Sequence, residues 1–106
     1  MKWRNYMCEF KVKEEKEETL LAEEIVVLSY SEENKLELRD ILGISEQLDS
    51  ALILEVNTLN QQCKVVQHPI VKHLIQLMKN LSNEKIDTAD IDHIVSLLED
   101  LKKKLK

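Results

Sequence analysis

Glycine and proline are almost missing from this chain, with one of each, Gly43 and Pro69, in 106 residues. Sheets joined by tight turns draw heavily on both, so their scarcity argues against a β-sandwich or barrel and for helices. Long apolar runs are missing too. The longest, Ile25–Leu28 and Ala51–Leu54, hold four residues each, whereas a membrane-spanning helix needs about twenty. Cysteine is limited to Cys8 and Cys63, without CxxC or zinc-type spacing. With no secretory apolar segment after Met1, both are expected as free thiols in a reducing, intracellular setting, cytoplasmic or nuclear. Excess positive charge is lacking as well. A net charge of −5 speaks against nucleic acid as main ligand, because phosphate binding relies on clustered Lys and Arg.

What is present suits a folded chain. Hydrophobic residues make up 43% and charged residues 33%, which is too rich in large aliphatics for disorder. The length fits one domain spanning residues 1–106. The clearest periodic segment is Ser45–Gln67. There Leu48, Leu52, Val56, Leu59, Cys63 and Val66 recur at spacings of four and three, as one face of an α-helix does. Ser45 is a candidate N-cap for it, and Ser31 for a shorter helix upstream. Gly43 would supply the left-handed position closing that shorter helix. After the break at His68-Pro69, Ile70, Val71, Leu74, Leu77, Met78 and Leu81 form a second stripe. Asp87 marks the start of the last helix, with Asp90 in its first turn. Its expected buried face is Ile91, Ile94, Val95, Leu98, Leu101 and Leu105. The fold expected is all-α, a single bundle of four or five amphipathic helices with Leu59 and Leu74 buried. A strand reading competes at Glu23–Tyr30, where Ile25, Val26, Val27 and Tyr30 have strand preference. Glu14 and Glu17, in the run KEEKEE, also sit awkwardly on any apolar stripe linking Trp3, Met7 and Phe10 to Leu21 and Ile25.

Chemistry-bearing patterns are weak. Cys63, His68 and His73 are spaced five and five across a proline, whereas ligands on one helix face need spacings of three or four. His93 stands apart, beside Asp90 and Asp92. Cys63 falls on an apolar stripe, where a thiol is inert. Cys8, near Lys2, Arg4 and Lys11, has no catalytic partner. No glycine-rich loop exists to cradle a phosphate. The expectation is a non-enzyme with no cofactor and no metal.

Protein binding has more support. Trp3, Tyr6, Met7 and Phe10 crowd the first ten positions, and these residue types are enriched in interface cores. Trp3, Met7 and Phe10 have the anchor spacing of a helix laid in a groove. Residues 1–12 are therefore a candidate docking segment, or else they complete the core. The order of helices and placing of aliphatics from Leu54 to Lys104 resembles the small helical modules at the N-termini of transcription elongation factors and their integrase-binding-domain relatives. Those modules tend to be basic and no diagnostic motif is shared, so the resemblance carries over no residue roles. The functional expectation is an interaction module, an adaptor or small subunit binding another protein or itself. The alternative is a transcription-associated regulator acting through a partner or a basic patch of Lys72, Lys79, Lys85 and the C-terminal lysines.

Overall fold

A computed structural model describes residues 9–105. Its first two-thirds is a six-stranded sheet: β1 (Phe10–Glu14), β2 (Leu20–Tyr30), β3 (Leu36–Asp40), β4 (Ser45–Leu48), β5 (Ala51–Asn57) and β6 (Gln62–Gln67). Two helices follow, α1 (Val71–Ser82) and α2 (Thr88–Lys104). The expected all-α bundle is therefore wrong. Both helices after Pro69 are where their periodicity placed them, and the 45–67 helix does not exist.

The strand order is β4-β3-β2-β1-β6-β5. Strands β1 to β4 form an antiparallel meander and β5 pairs antiparallel with β6. The β1–β6 pair is parallel, matching Val12 with Cys63. The edge strands β4 and β5 are joined by only Asp49 and Ser50. In a flat sheet they would lie roughly 24 Å apart, five strand spacings. Three Cα–Cα steps reach at most roughly 11 Å. The sheet must curl until its edges approach each other. Tyr30, at the end of β2, confirms the curl: its hydroxyl donates to the Ala51 carbonyl at 2.8 Å and accepts from the Ile53 N–H at 3.2 Å.

Inside the curl lies a core of Val12, Ala22, Ile25, Leu36, Leu38, Ala51, Cys63 and Val65. Buried residues recur at a spacing of two within β1 (Phe10, Val12), β3 (Leu36, Leu38) and β6 (Cys63, Val65), the period of a strand with one face inward. Glu23–Tyr30 is strand, as the competing reading had it. The β1–β2 register shifts between Ala22 and Ile25, where Glu24 takes a φ of 59°, and β2 pairs with β1 through its first half and with β3 through its second.

The turns explain why so little glycine suffices. Glu18, Asn34 and Gln61 all take positive φ, at roughly 1–2 kcal/mol each by the left-handed helix penalty. Glu15–Glu17 turn between β1 and β2, which removes the problem of carboxylates on an apolar helix stripe. Ser31 caps no helix; its hydroxyl accepts from the Glu33 and Lys35 N–H groups in the β2–β3 turn. Gly43 is left-handed as expected, at φ 88°, but in the β3–β4 hairpin. There the Asp40 carboxylate accepts from the Leu42 and Ile44 N–H groups at 2.9 Å. Ser45 opens β4 rather than capping a helix. In the β5–β6 turn, the Asn57 side chain accepts from the Asn60 N–H.

Leu59 is 94% exposed at that turn and Leu74 is 38% exposed on α1, so the burial expected of both is overturned. A truncation series tests the corrected core. Leu38→Ala should lower the unfolding free energy by about 2–5 kcal/mol, while Leu59→Ala should change it by less than about 0.5 kcal/mol. Urea titrations that rank the two the other way would refute this arrangement of the sheet.

Candidate docking surface

The curled sheet is an open barrel, its edge strands β4 and β5 linked in sequence but not paired; this barrel and the helices meet at one joint, and Ser50 organises it. Ser50 is buried. Its hydroxyl donates to the His68 carbonyl and accepts from the Lys72 N–H, while its carbonyl accepts from the His68 N–H. The N-cap residue of α1, Ile70, offers no side-chain cap. Ser50 therefore satisfies a first-turn N–H from 22 residues away, a service normally given by a local cap. Around it, Lys72 pairs with Asp49 at 3.2 Å. The β2–β3 turn grips α1 further along. Asn34 donates to the Gln76 side chain at 2.8 Å, and Lys79 donates to the Ser31 carbonyl. Asn34 Oδ1 is buried with no partner among the described residues.

Helix α2 begins where expected. The Asp87 carboxylate accepts from the Asp90 N–H at 3.2 Å, and the Asp90 carboxylate accepts from the Asp87 N–H at 3.0 Å, a reciprocal capping box. It runs antiparallel to α1. The rings of His73 and His93 meet edge to face at 5.3 Å, and the two helices share a hollow lined by Leu77, Asp90 and Ile94. Between α1 and β5 runs a second, apolar cleft lined by Leu52, Val71, Leu74, Ile75 and Met78. This hairpin and its cleft are the candidate docking surface. Only Ile94 of the expected buried face of α2 is buried, and Ile91, Val95, Leu98 and Leu105 are exposed.

The sites expected from sequence fall elsewhere. Trp3, Tyr6 and Met7, like Cys8, lie outside the described residues. Phe10 is on β1 with its side chain buried. Cys63 lies in the barrel, His68 at the joint and His73 on α1. Among the described residues no three His, Cys, Asp or Glu side chains are grouped to hold a metal ion. Lys72 and Lys79 are each engaged by the barrel, which breaks up the proposed basic patch. No helix among the described residues is long and apolar enough to cross a membrane.

Residues 7–65 match the family model of CooT, the CO dehydrogenase accessory protein. The chain belongs to the CooT family. The matched span takes in β1 to β5 and most of β6, and stops short of both helices. No curated protein and no solved structure matches the chain. Membership in CooT overturns both functional expectations, the generic adaptor and the transcription-associated regulator. The resemblance to transcription-factor helical modules fails with them, because Leu54–Gln67 forms strands. The signal missed was short alternation: Phe10-Lys11-Val12-Lys13 and Leu36-Glu37-Leu38-Arg39 each read apolar-polar with period two.

Two expected outcomes follow from the joint and the core. Ser50→Ala leaves the Lys72 N–H and His68 carbonyl without their partner, and should cost about 1–3 kcal/mol, seen as a lower midpoint in thermal unfolding. Burial pushes the Cys63 thiol above its ordinary value of 9.0. Burial also raises Tyr30 above 10.0, with the Ile53 N–H opposing and the Cys63 charge adding to the rise. A raised pKa means the folded state holds its proton longer than the unfolded chain. Stability is therefore complete below about pH 9 and declines as pH rises from there. In a Cys8→Ser background, Cys63→Ala should remove the earlier part of this decline, measured by urea unfolding from pH 7 to 11.

Proposed function

We propose that this chain is a non-catalytic accessory protein in the maturation of CO dehydrogenase, acting by contact with proteins of that system in the cytoplasm. The family match over residues 7–65 carries the reading, because it covers the barrel that organises the rest of the chain. Two further observations support it. The described residues present an apolar cleft and two half-exposed helices, surface of a kind that engages proteins. Cys63 is a free, buried thiol, in keeping with a reducing compartment.

Co-expression gives the test. A CO dehydrogenase from the same cell, made with and without this chain, should show lower specific CO-oxidation activity without it, at equal amounts of enzyme polypeptide. Re-expressing the chain should restore activity, and purified chain added to mature enzyme should change nothing. Equal activity in both strains would overturn the proposal. An activity of the isolated chain towards CO would overturn its non-catalytic part.

A further inference from the structure

Two imidazoles far apart in the chain, His73 and His93, come together where α1 packs on α2. Their ring centres are 5.3 Å apart and their planes cross at 76°. Edge-to-face contact is an ordinary way for rings to pack, but a neutral imidazole also carries a nitrogen lone pair. Among the described residues neither ring has a hydrogen-bond partner. His68 differs, because its Nδ1 accepts from the Ile70 N–H at 3.1 Å. His73 is half-buried and His93 is exposed, so the pair opens to solvent on one side and an ion can enter.

The separation of the rings suits one metal ion held between them. With a metal–nitrogen bond of about 2.1 Å, each ring centre lies roughly 3.2 Å from the ion. Two rings joined through it at a right or tetrahedral angle then have centres roughly 4.6–5.3 Å apart. His73 and His93 stand at the upper end of that range, so turning the rings suffices and the helices need not move. The hollow around them is polar and no Lys or Arg lines it among the described residues. Gln76 and Asn80 line it from α1 and Asp90 from α2. Asp90 stands one helical turn before His93, on the same face. Its carboxylate caps α2 through Oδ2, and Oδ1 is its remaining acceptor for a metal-bound water. Such outer partners orient a bound ion's ligands. We propose that His73 and His93 clamp a divalent transition ion of the zinc or copper type, with water completing its coordination and Asp90 holding that water. Imidazole nitrogen suits these ions, whereas magnesium and calcium take oxygen. A clamp of two side chains agrees with the absence of any group of three ligating residues among those described. The ion would brace a hairpin in which each helix has a single buried residue. The site lies beyond the matched family span and does not rest on the accessory role.

Calorimetric titration of zinc chloride into untagged, full-length Cys8→Ser protein tests the clamp. That background removes a competing thiol, and Cys63 is buried. One ion should bind per chain with micromolar affinity, and magnesium chloride should not displace it. His73→Gln and His93→Gln should each weaken binding roughly tenfold or more, and the double variant should bind little worse than either, because one ring alone forms no clamp. Asp90→Asn should weaken it by about tenfold, as loss of an outer partner does. Zinc should raise the thermal midpoint of the parent and of neither histidine variant. Both histidines lie at the surface, so without metal the variants should match the parent in circular dichroism and thermal midpoint. Nuclear magnetic resonance of the imidazole nitrogens needs no variant: zinc should shift His73 and His93 together and leave His68 in place. No binding at about 100 µM zinc, well above micromolar affinity, overturns the proposal. Binding that survives both histidine substitutions does so too, since the ion then sits elsewhere. A shift confined to one ring, or half an ion per chain, equally overturns it.

Discussion

Two residues, Asp49 and Ser50, hold the whole arrangement to one shape. They connect the outermost strands of a six-stranded sheet, and a chain that short cannot bridge the sheet unless it curls. Once it curls, the inward side chains of β1, β2, β3, β5 and β6 converge on one core, and the Tyr30 hydroxyl comes within reach of β5. The same link carries the rest of the molecule. Ser50 binds the backbone leading into α1, and Asp49 accepts from Lys72. Curling the sheet and docking the helices are thus one event at one place.

The division between barrel and hairpin matches the division in family evidence. Residues shared with CooT form the barrel, while the helices lie past the matched span. The barrel is dense: Val12, Leu36, Ala51, Cys63 and Val65 are fully shielded. The hairpin is sparse, with one buried residue in each helix, Val71 and Ile94. Overall extents of 57 × 35 × 23 Å describe a body with an arm rather than a sphere.

The sequence made the last third legible and hid the first two. Pro69 ends one element and opens another by its fixed φ and missing N–H. Asp87 and Asp90 form a reciprocal cap that local spacing reveals. Both signals act within a few residues. The strands depend on partners up to fifty residues away, such as Val12 and Cys63, which no local pattern discloses. Ser45–Gln67 shows how a wrong period arises. Leu48, Leu52, Val56, Leu59, Cys63 and Val66 fit a helix, yet Cys63 alone of these is buried in the barrel, with Ala51 and Val65. Poverty in glycine misled for a physical reason, since Glu18, Asn34 and Gln61 take left-handed turns themselves. Of the candidate docking residues, Phe10 lies buried on β1, and Trp3, Tyr6 and Met7 fall outside the described residues. The hairpin face was in plain view, but its stripes were assigned to a core that does not exist.

The parallel pairing of β1 with β6 has a consequence for the order in which the molecule is made. Strands β1 to β4 leave the ribosome first and can form their meander at once, by short hairpins. From its own synthesis the outer edge of β1 stays unmatched, its N–H and C=O groups without a strand, until β6 emerges some fifty residues after β1. Such an edge accepts any strand offered to it, and long-range pairings of this kind form slowly. At the ordinary pace of translation, about 5–20 residues each second, the nascent chain spends several seconds in this half-built state. It is then that the chain is most exposed to pairing with the wrong neighbour, and a polysome lined with copies at the same stage supplies many.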